Sequence, residues 1–203
     1  MALLMGFVIV PGAFAQDKLF NDAPEKDGGW QGLANLLEAL APSADTSIPL
    51  TPSEITDRIA AMLDQGKNQE ALNIIEKREA QRKASGAVGT DVQLLFLKGR
   101  ALAALNRHDE AIATYRSMTV LFPELPEPWN NLASEYTKQG KLDMARDALQ
   151  MALTADPNYA TARANMGEVQ LMLAQRSFHE AATLGSSSAH DKASEIKKVI
   201  LQK

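Results

Sequence analysis

"HDEAIATYRSMTVLFP" (His108–Pro123) returns 34 residues later as "LDMARDALQMALTADP" (Leu142–Pro157). Few residues are identical, but Ala111 and Ala145, Tyr115 and Leu149, and Pro123 and Pro157 stand in register. What repeats is residue size. Extended outward, "DVQLLFLKGRALAALNRHDEAIATYRSMTVLFPEL" (Asp91–Leu125) and "PEPWNNLASEYTKQGKLDMARDALQMALTADPNY" (Pro126–Tyr159) align without a gap. Gly99, Ala133 and Gly167 recur at the same spacing. Residues with so little side chain predict close helix crossings, where a large side chain would cost about 1–3 kcal/mol by overpacking. Trp129, Tyr136, Tyr115 and Leu149 are the expected fillers, each contributing about 1.5–3 kcal/mol when fully buried. Pro123 and Pro157 cannot continue a helix, so each unit stops there.

Here the chain resembles the tetratricopeptide repeat (TPR) family, whose unit is a helix–turn–helix of 34 residues. Trp129, Leu132, Ala133 and Tyr136 follow the pattern of its first helix, Gly140 that of the turn, and Ala145, Leu149, Ala152 and Pro157 that of the second helix. The preceding unit offers Leu95, Gly99, Leu102, Ala111, Tyr115, Met118 and Pro123, with Lys98 standing where Leu is usual. The resemblance implies an all-α fold, a right-handed α-solenoid of TPR units closed by a C-terminal capping helix.

The flanking units are looser. "SEITDRIAAMLDQGKNQEALNIIEKREAQRK" (Ser53–Lys83) supplies Ile55, Ile59, Met62, a turn at Gly66, Ala71 and Ile75, but no closing Pro. Its charged end, "EKREAQRK", reads as a solvated helix end, and "ASGAVGTD" (Ala84–Asp91) as a surface loop. The fourth unit begins normally with "PNYATARANMGEVQLML" and continues with "AQRSFHEAATLG", with no turn residue between its helices. An altered turn at Gln175–Ser177 and a fusion from about Thr161 to Leu184 both fit. Fusion is favoured, because nothing after Gly167 breaks a helix before Gly185. Beyond it, "AHDKASEIKKVILQ" reads as an amphipathic cap with Ala193, Ile196, Val199 and Ile200 inward. The expected organisation is therefore a signal peptide at 1–15, a flexible linker at 16–50, and repeats at about 52–85, 92–125, 126–159 and 160–184. The cap occupies 185–203.

Within the linker, "GWQGLANLLEALAP" (Gly29–Pro42) places Trp30, Leu33, Leu37 and Leu40 on one helical face, a candidate docking helix. The start, "MALLMGFVIVPGAFAQ", has a short apolar core, a Pro11-Gly12 break and small residues at Ala13 and Ala15. This is the pattern of a secretory signal cleaved after Ala15, although no Lys or Arg precedes the core. A buried N-terminal helix is the competing reading. Periplasmic or other export follows from the first.

Composition bounds the chemistry. The 203 residues carry a net charge of −4 and offer no basic field for phosphates, so nucleic acid is not an expected partner. No stretch after residue 15 has the roughly 20 apolar residues needed to span a bilayer. There is no cysteine, which removes disulfides, thiolate metal sites and thiol nucleophiles. His108, His179 and His190 lie far apart without the ligand spacing of a zinc site, and His108 falls at an expected exposed turn. "SSSAHD" (Ser186–Asp191) is adjacency rather than triad geometry, and "GAVGT" (Gly86–Thr90) lacks the third Gly and the Lys of a phosphate loop. The chain reads as non-enzymatic, with no cofactor and no metal.

What remains is a surface. In TPR proteins the first helices line the concave side, and the resemblance puts Phe96, Leu97 and Arg100 there from the second unit. The third unit contributes Glu127, Asn130, Asn131, Ser134 and Lys138, and the fourth Thr161, Asn165, Glu168 and Leu171. Asn side chains can donate to and accept from a peptide backbone, while Phe96 and Leu97 offer an apolar anchor. Some TPR proteins hold a carboxylate-terminated tail with Lys, Arg and Asn in this trough. Here Asn131 and Asn165 fit, but Phe96 and Thr161 stand where cations are needed. The expected function is a scaffold that binds a protein segment in its groove. The alternative is a self-assembling structural protein whose arrays associate through the cap or the Trp30 segment.

Overall fold

The computed structural model describes residues 51–202. Among them every regular element is a helix: α1 (Pro52–Asp64), α2 (Asn68–Ala84), α3 (Val92–Ala104), α4 (His108–Leu121), α5 (Pro126–Lys138), α6 (Leu142–Ala155), α7 (Ala160–Thr183) and α8 (Ser187–Leu201). Each packs against its neighbours in chain order, and α1 also meets α3, as α5 meets α7. The architecture is an all-α solenoid. The signal and linker readings, including the Trp30 helix, lie outside the described residues.

Local chemistry sets the boundaries. Thr51 and Glu54 form a reciprocal capping box at the start of α1: the Thr51 N–H donates to Glu54 Oε2 (2.8 Å) and the Glu54 N–H to Thr51 Oγ1 (3.3 Å). These bonds to Thr51 hold the Glu54 carboxyl below its usual range. Asp91 caps α3 by accepting from the Leu94 N–H. The turns inside the pairs share one geometry. Gly66, Asn106 and Gly140 adopt positive φ (76°, 58° and 70°), and the next residue's N–H reaches back to a helical carbonyl, 2.9 Å away in each case. Glycine is the default for this left-handed position and asparagine the tolerated substitute, so the turn survives in the unit that lacks Gly.

The core runs along the stack through Ile59, Met62, Leu72, Ile75, Leu102, Tyr115, Met118, Leu132, Leu149 and Val169, all buried. Gly99 behaves as its spacing implies: a Cβ there would lie 2.5 Å from Tyr115 Cε1. Ala133 is likewise buried. Gly167 does not behave this way. It is exposed, and a Cβ there would meet nothing within 4 Å. The reason is that α7 runs unbroken from Ala160 to Thr183, so no second helix of that unit folds back onto the face carrying Gly167. The chain turns only at Gly185 (φ 100°), and α8 then packs on α7.

One smaller expectation gains detail and another needs correction. The charged end of α2 is solvated, its residues 76–83 exposed or half-buried, yet Arg82 donates to the Gly89 carbonyl and Glu79 pairs with Lys98 at 2.6 Å. The same ion pair accounts for Lys98 standing in place of a Leu. On α8 the inward face is Ala189 and Ala193, with Ile196 and Ile200 half-buried, whereas Val199 is exposed.

Gly99 and Gly167 therefore predict opposite responses to the same substitution. Gly99→Ala should lower stability by about 1–3 kcal/mol through collision with Tyr115. Gly167→Ala should raise it by about 0.5–1 kcal/mol through helix propensity alone. Urea unfolding of the two variants beside the parent protein measures both.

Candidate functional site

Phe96 and Arg100 sit one helical turn apart on α3, on one face of that helix. Each opens into a separate cleft. The Arg100 cleft has a volume of about 220 Å³ and is lined by Leu63, Asn68, Ala103, Ala104, Tyr115, Asn131, Ser134, Glu135 and Lys138 as well as Arg100. The Phe96 cleft is about 590 Å³, with Ala60, Val92, Leu97, Met118, Leu125 and Pro128 as its apolar walls and Thr56, Asp57, Gln93 and Glu127 as its polar ones. Both span α1, α3 and α5.

The structure thus brings together Arg100, Asn131, Ser134 and Lys138 in one cleft and Phe96, Leu97 and Glu127 in the other. Leu97 is only 6% exposed, so it is part of the wall rather than a projecting anchor. Phe96 is half-buried and tilts against the Tyr115 ring, with centroids 6.3 Å apart. Thr161, Glu168 and Leu171 lie on α7 and line neither cleft.

Asn130 and Asn165 line neither cleft. Asn130 is 5% exposed, and its Oδ1 accepts from Asn165 Nδ2 at 2.8 Å, joining α5 to α7. Its own Nδ2 donates to Asn131 Oδ1 (3.3 Å), and Asn131 Nδ2 donates to the Tyr115 hydroxyl (3.3 Å). The carboxamides form a relay from α7 through α5 to α4, because buried amides must find partners and here they find one another. Burial raises the Tyr115 phenol pKa, keeping the hydroxyl neutral in this relay.

The floor of the Arg100 cleft holds a residue that the amphipathic pattern does not reveal. Glu135 is 2% exposed; its Oε2 lies 2.6 Å from His108 Nδ1 and its Oε1 lies 2.6 Å from Lys138 Nζ. His108 is therefore half-buried and engaged across the α4–α5 contact, not at a free turn. One sequence signal pointed to Glu135: it stands 34 residues after Ala101 and 34 before Val169, both buried. Arg100 is also paired, donating to Asp64 Oδ1 at 2.8 Å. Burial, and then the nearby charge of Glu127, raise the Tyr159 phenol pKa. Among the described residues no group of three His, Asp or Glu side chains is placed to hold a metal ion. No described helix is long and apolar enough to cross a membrane.

Residues 60–126 and 126–159 each match the tetratricopeptide repeat. Residues 60–159 carry tetratricopeptide repeats. The two matches take in α2 through α6 entire, and therefore most of both clefts. Solved structures of similar fold include MamA 41-end from Desulfovibrio magneticus RS-1, at 16% identity, TM-score 0.54, and coverage of 87% of this chain and 89% of that one. The MamA RS-1 ArsTM double mutant is similar at 16% identity and TM-score 0.53 over 85% and 88% of the two chains. PcrH from Pseudomonas aeruginosa aligns at 16% identity and TM-score 0.48 over 64% of this chain and 96% of that one. At such identities the likeness is one of fold.

The relay predicts that Asn130→Ala costs about 1–3 kcal/mol, since it removes a buried amide and leaves the half-buried Asn165 and Asn131 without their partner. Ser134→Ala, at an exposed position of the same helix, should change stability by less than about 0.5 kcal/mol. Chemical denaturation of the pair tests whether the carboxamides belong to the scaffold.

Proposed function

We propose that this TPR chain is a non-catalytic interaction scaffold that holds an extended partner segment across α1, α3 and α5. The observation that carries the reading is the pairing of an apolar and a polar cleft along one face of α3, at Phe96 and Arg100. One helical turn rises about 5.4 Å, and an extended chain advances about 3.3 Å per residue. A single bound segment can therefore reach both clefts with side chains two residues apart, which an extended chain presents on one face. Arg100, Asn131, Ser134 and Lys138 supply donors along the polar side, and the half-buried Phe96 supplies apolar contact. Ser134→Trp should fill the polar cleft from an exposed position. Partner capture from cell extract should then fall while the thermal midpoint stays unchanged. Equal loss of folding and capture would instead make this face structural.

A second reading is self-association. It draws on Leu171, Leu184, Val199 and Leu201, all exposed on or beside α7 and α8, and on the uncovered face of α7 at Gly167. Sedimentation over a concentration range separates the readings, because a strict monomer rules out self-assembly. Export to the cell envelope is part of the proposal on the strength of the apolar start and the small residues Ala13 and Ala15. N-terminal sequencing of protein from its native cell should begin at Gln16; Met1 intact would overturn export.

A further inference from the structure

The charges on this face are unevenly placed. In the Arg100 cleft every formal charge has a partner: Arg100 pairs with Asp64, and Lys138 pairs with Glu135. In the Phe96 cleft the charged side chains are Asp57 on α1 and Glu127 on α5. Both are exposed, and neither makes an ion pair or hydrogen bond among the described residues. Glu127 stands in the first turn of α5, where the helix dipole favours a carboxylate. That account does not extend to Asp57, which lies beyond the first turn of α1. Among the described residues no Lys or Arg lines the cleft. Its volume of about 590 Å³ falls in the range of ligand-holding clefts, and its walls are mainly apolar.

The geometry points to a partner segment of defined chemistry: a bulky apolar side chain that enters the Phe96 cleft, flanked by Lys or Arg that meets Asp57 and Glu127. The apolar side chain is held by Ala60, Val92, Met118 and Leu125 and loses its contact with water there. The flanking cations neutralise two carboxylates that lack a counter-charge. The adjoining polar cleft is already internally neutralised and adds hydrogen bonds rather than charge selection. This specificity rests on the peptide-binding reading of the same face.

The test uses the full chain and defined probes: fluorescein-labelled nonapeptides with a central Phe, Leu or Trp, flanked on each side by Lys, Glu or Ser. Fluorescence anisotropy gives their affinities for the parent protein, for Asp57→Asn combined with Glu127→Gln, for Ala60→Trp and for Ser134→Trp. The Lys-flanked peptides should bind the parent about five- to tenfold more tightly than the Glu-flanked ones, the scale of two exposed ion pairs. That preference should fall below about twofold in the double carboxamide variant, and also in the parent protein at about 0.5 M salt, where exposed charges are screened. Ala60→Trp should abolish binding of all the peptides with helix content unchanged. Peptides that bind and are blocked by Ser134→Trp, yet show no preference for Lys, would overturn the basic-flank inference and leave the scaffold reading standing. The same holds if the preference persists in the double carboxamide variant, whose near-isosteric surface changes leave folding intact. Failure of every peptide to bind the parent protein would overturn both.

Discussion

The contact between Gly99 and the ring of Tyr115 is the constraint from which the rest of this structure follows. With no side chain at Gly99, α4 can lay a bulky aromatic residue directly on the backbone of α3. The ring is then fully buried and held in one position. Its hydroxyl becomes a fixed acceptor, Asn131 orients on it, Asn130 on Asn131, and Asn165 on Asn130. A single missing side chain thus positions polar groups on three further helices. The Phe96 ring tilts against it, so one aromatic pair joins the Phe96 cleft to the Arg100 cleft that Tyr115 lines.

Much of the architecture was legible because close packing of helix pairs imposes residue size, and size recurs even where identity does not. The 34-residue register of Ala111 with Ala145 and of Gly99 with Ala133 requires only steric reasoning. Gly167 shows where that reasoning stops. Its register is correct, but a small residue marks a crossing only if a second helix comes back to cross it, and the continuous α7 prevents that. The information that mattered lay eight to ten residues further on, in the absence of a breaker at 175–177.

The face itself was legible in part. Exposed and half-buried positions such as Arg100, Ser134 and Lys138 follow from helical periodicity. The partners of Asn130 and Glu135 do not, since Asn165 lies 35 residues away and His108 lies 27. A polar residue on a helix reads as solvated unless its long-range partner is known. Glu135 illustrates the conflict: its register with Ala101 and Val169 indicates burial, while its charge indicates water. Burial wins because two cationic or donor groups, one from the preceding unit and one from its own helix, meet both carboxylate oxygens. That arrangement leaves Lys138 neutralised, and with Arg100 held by Asp64 it shifts the unmatched charge of the face to Asp57 and Glu127.

Because each helix touches chiefly its immediate neighbours, the array is a one-dimensional stack whose bending is the sum of small rotations between adjacent pairs. The clefts are gaps bounded by three consecutive first helices, α1, α3 and α5, so any change in curvature opens or narrows both together. On the proposed reading, an occupant wedged in one gap would therefore set the width of the other. The stiffness of the stack, and not direct contact between the clefts, would couple them.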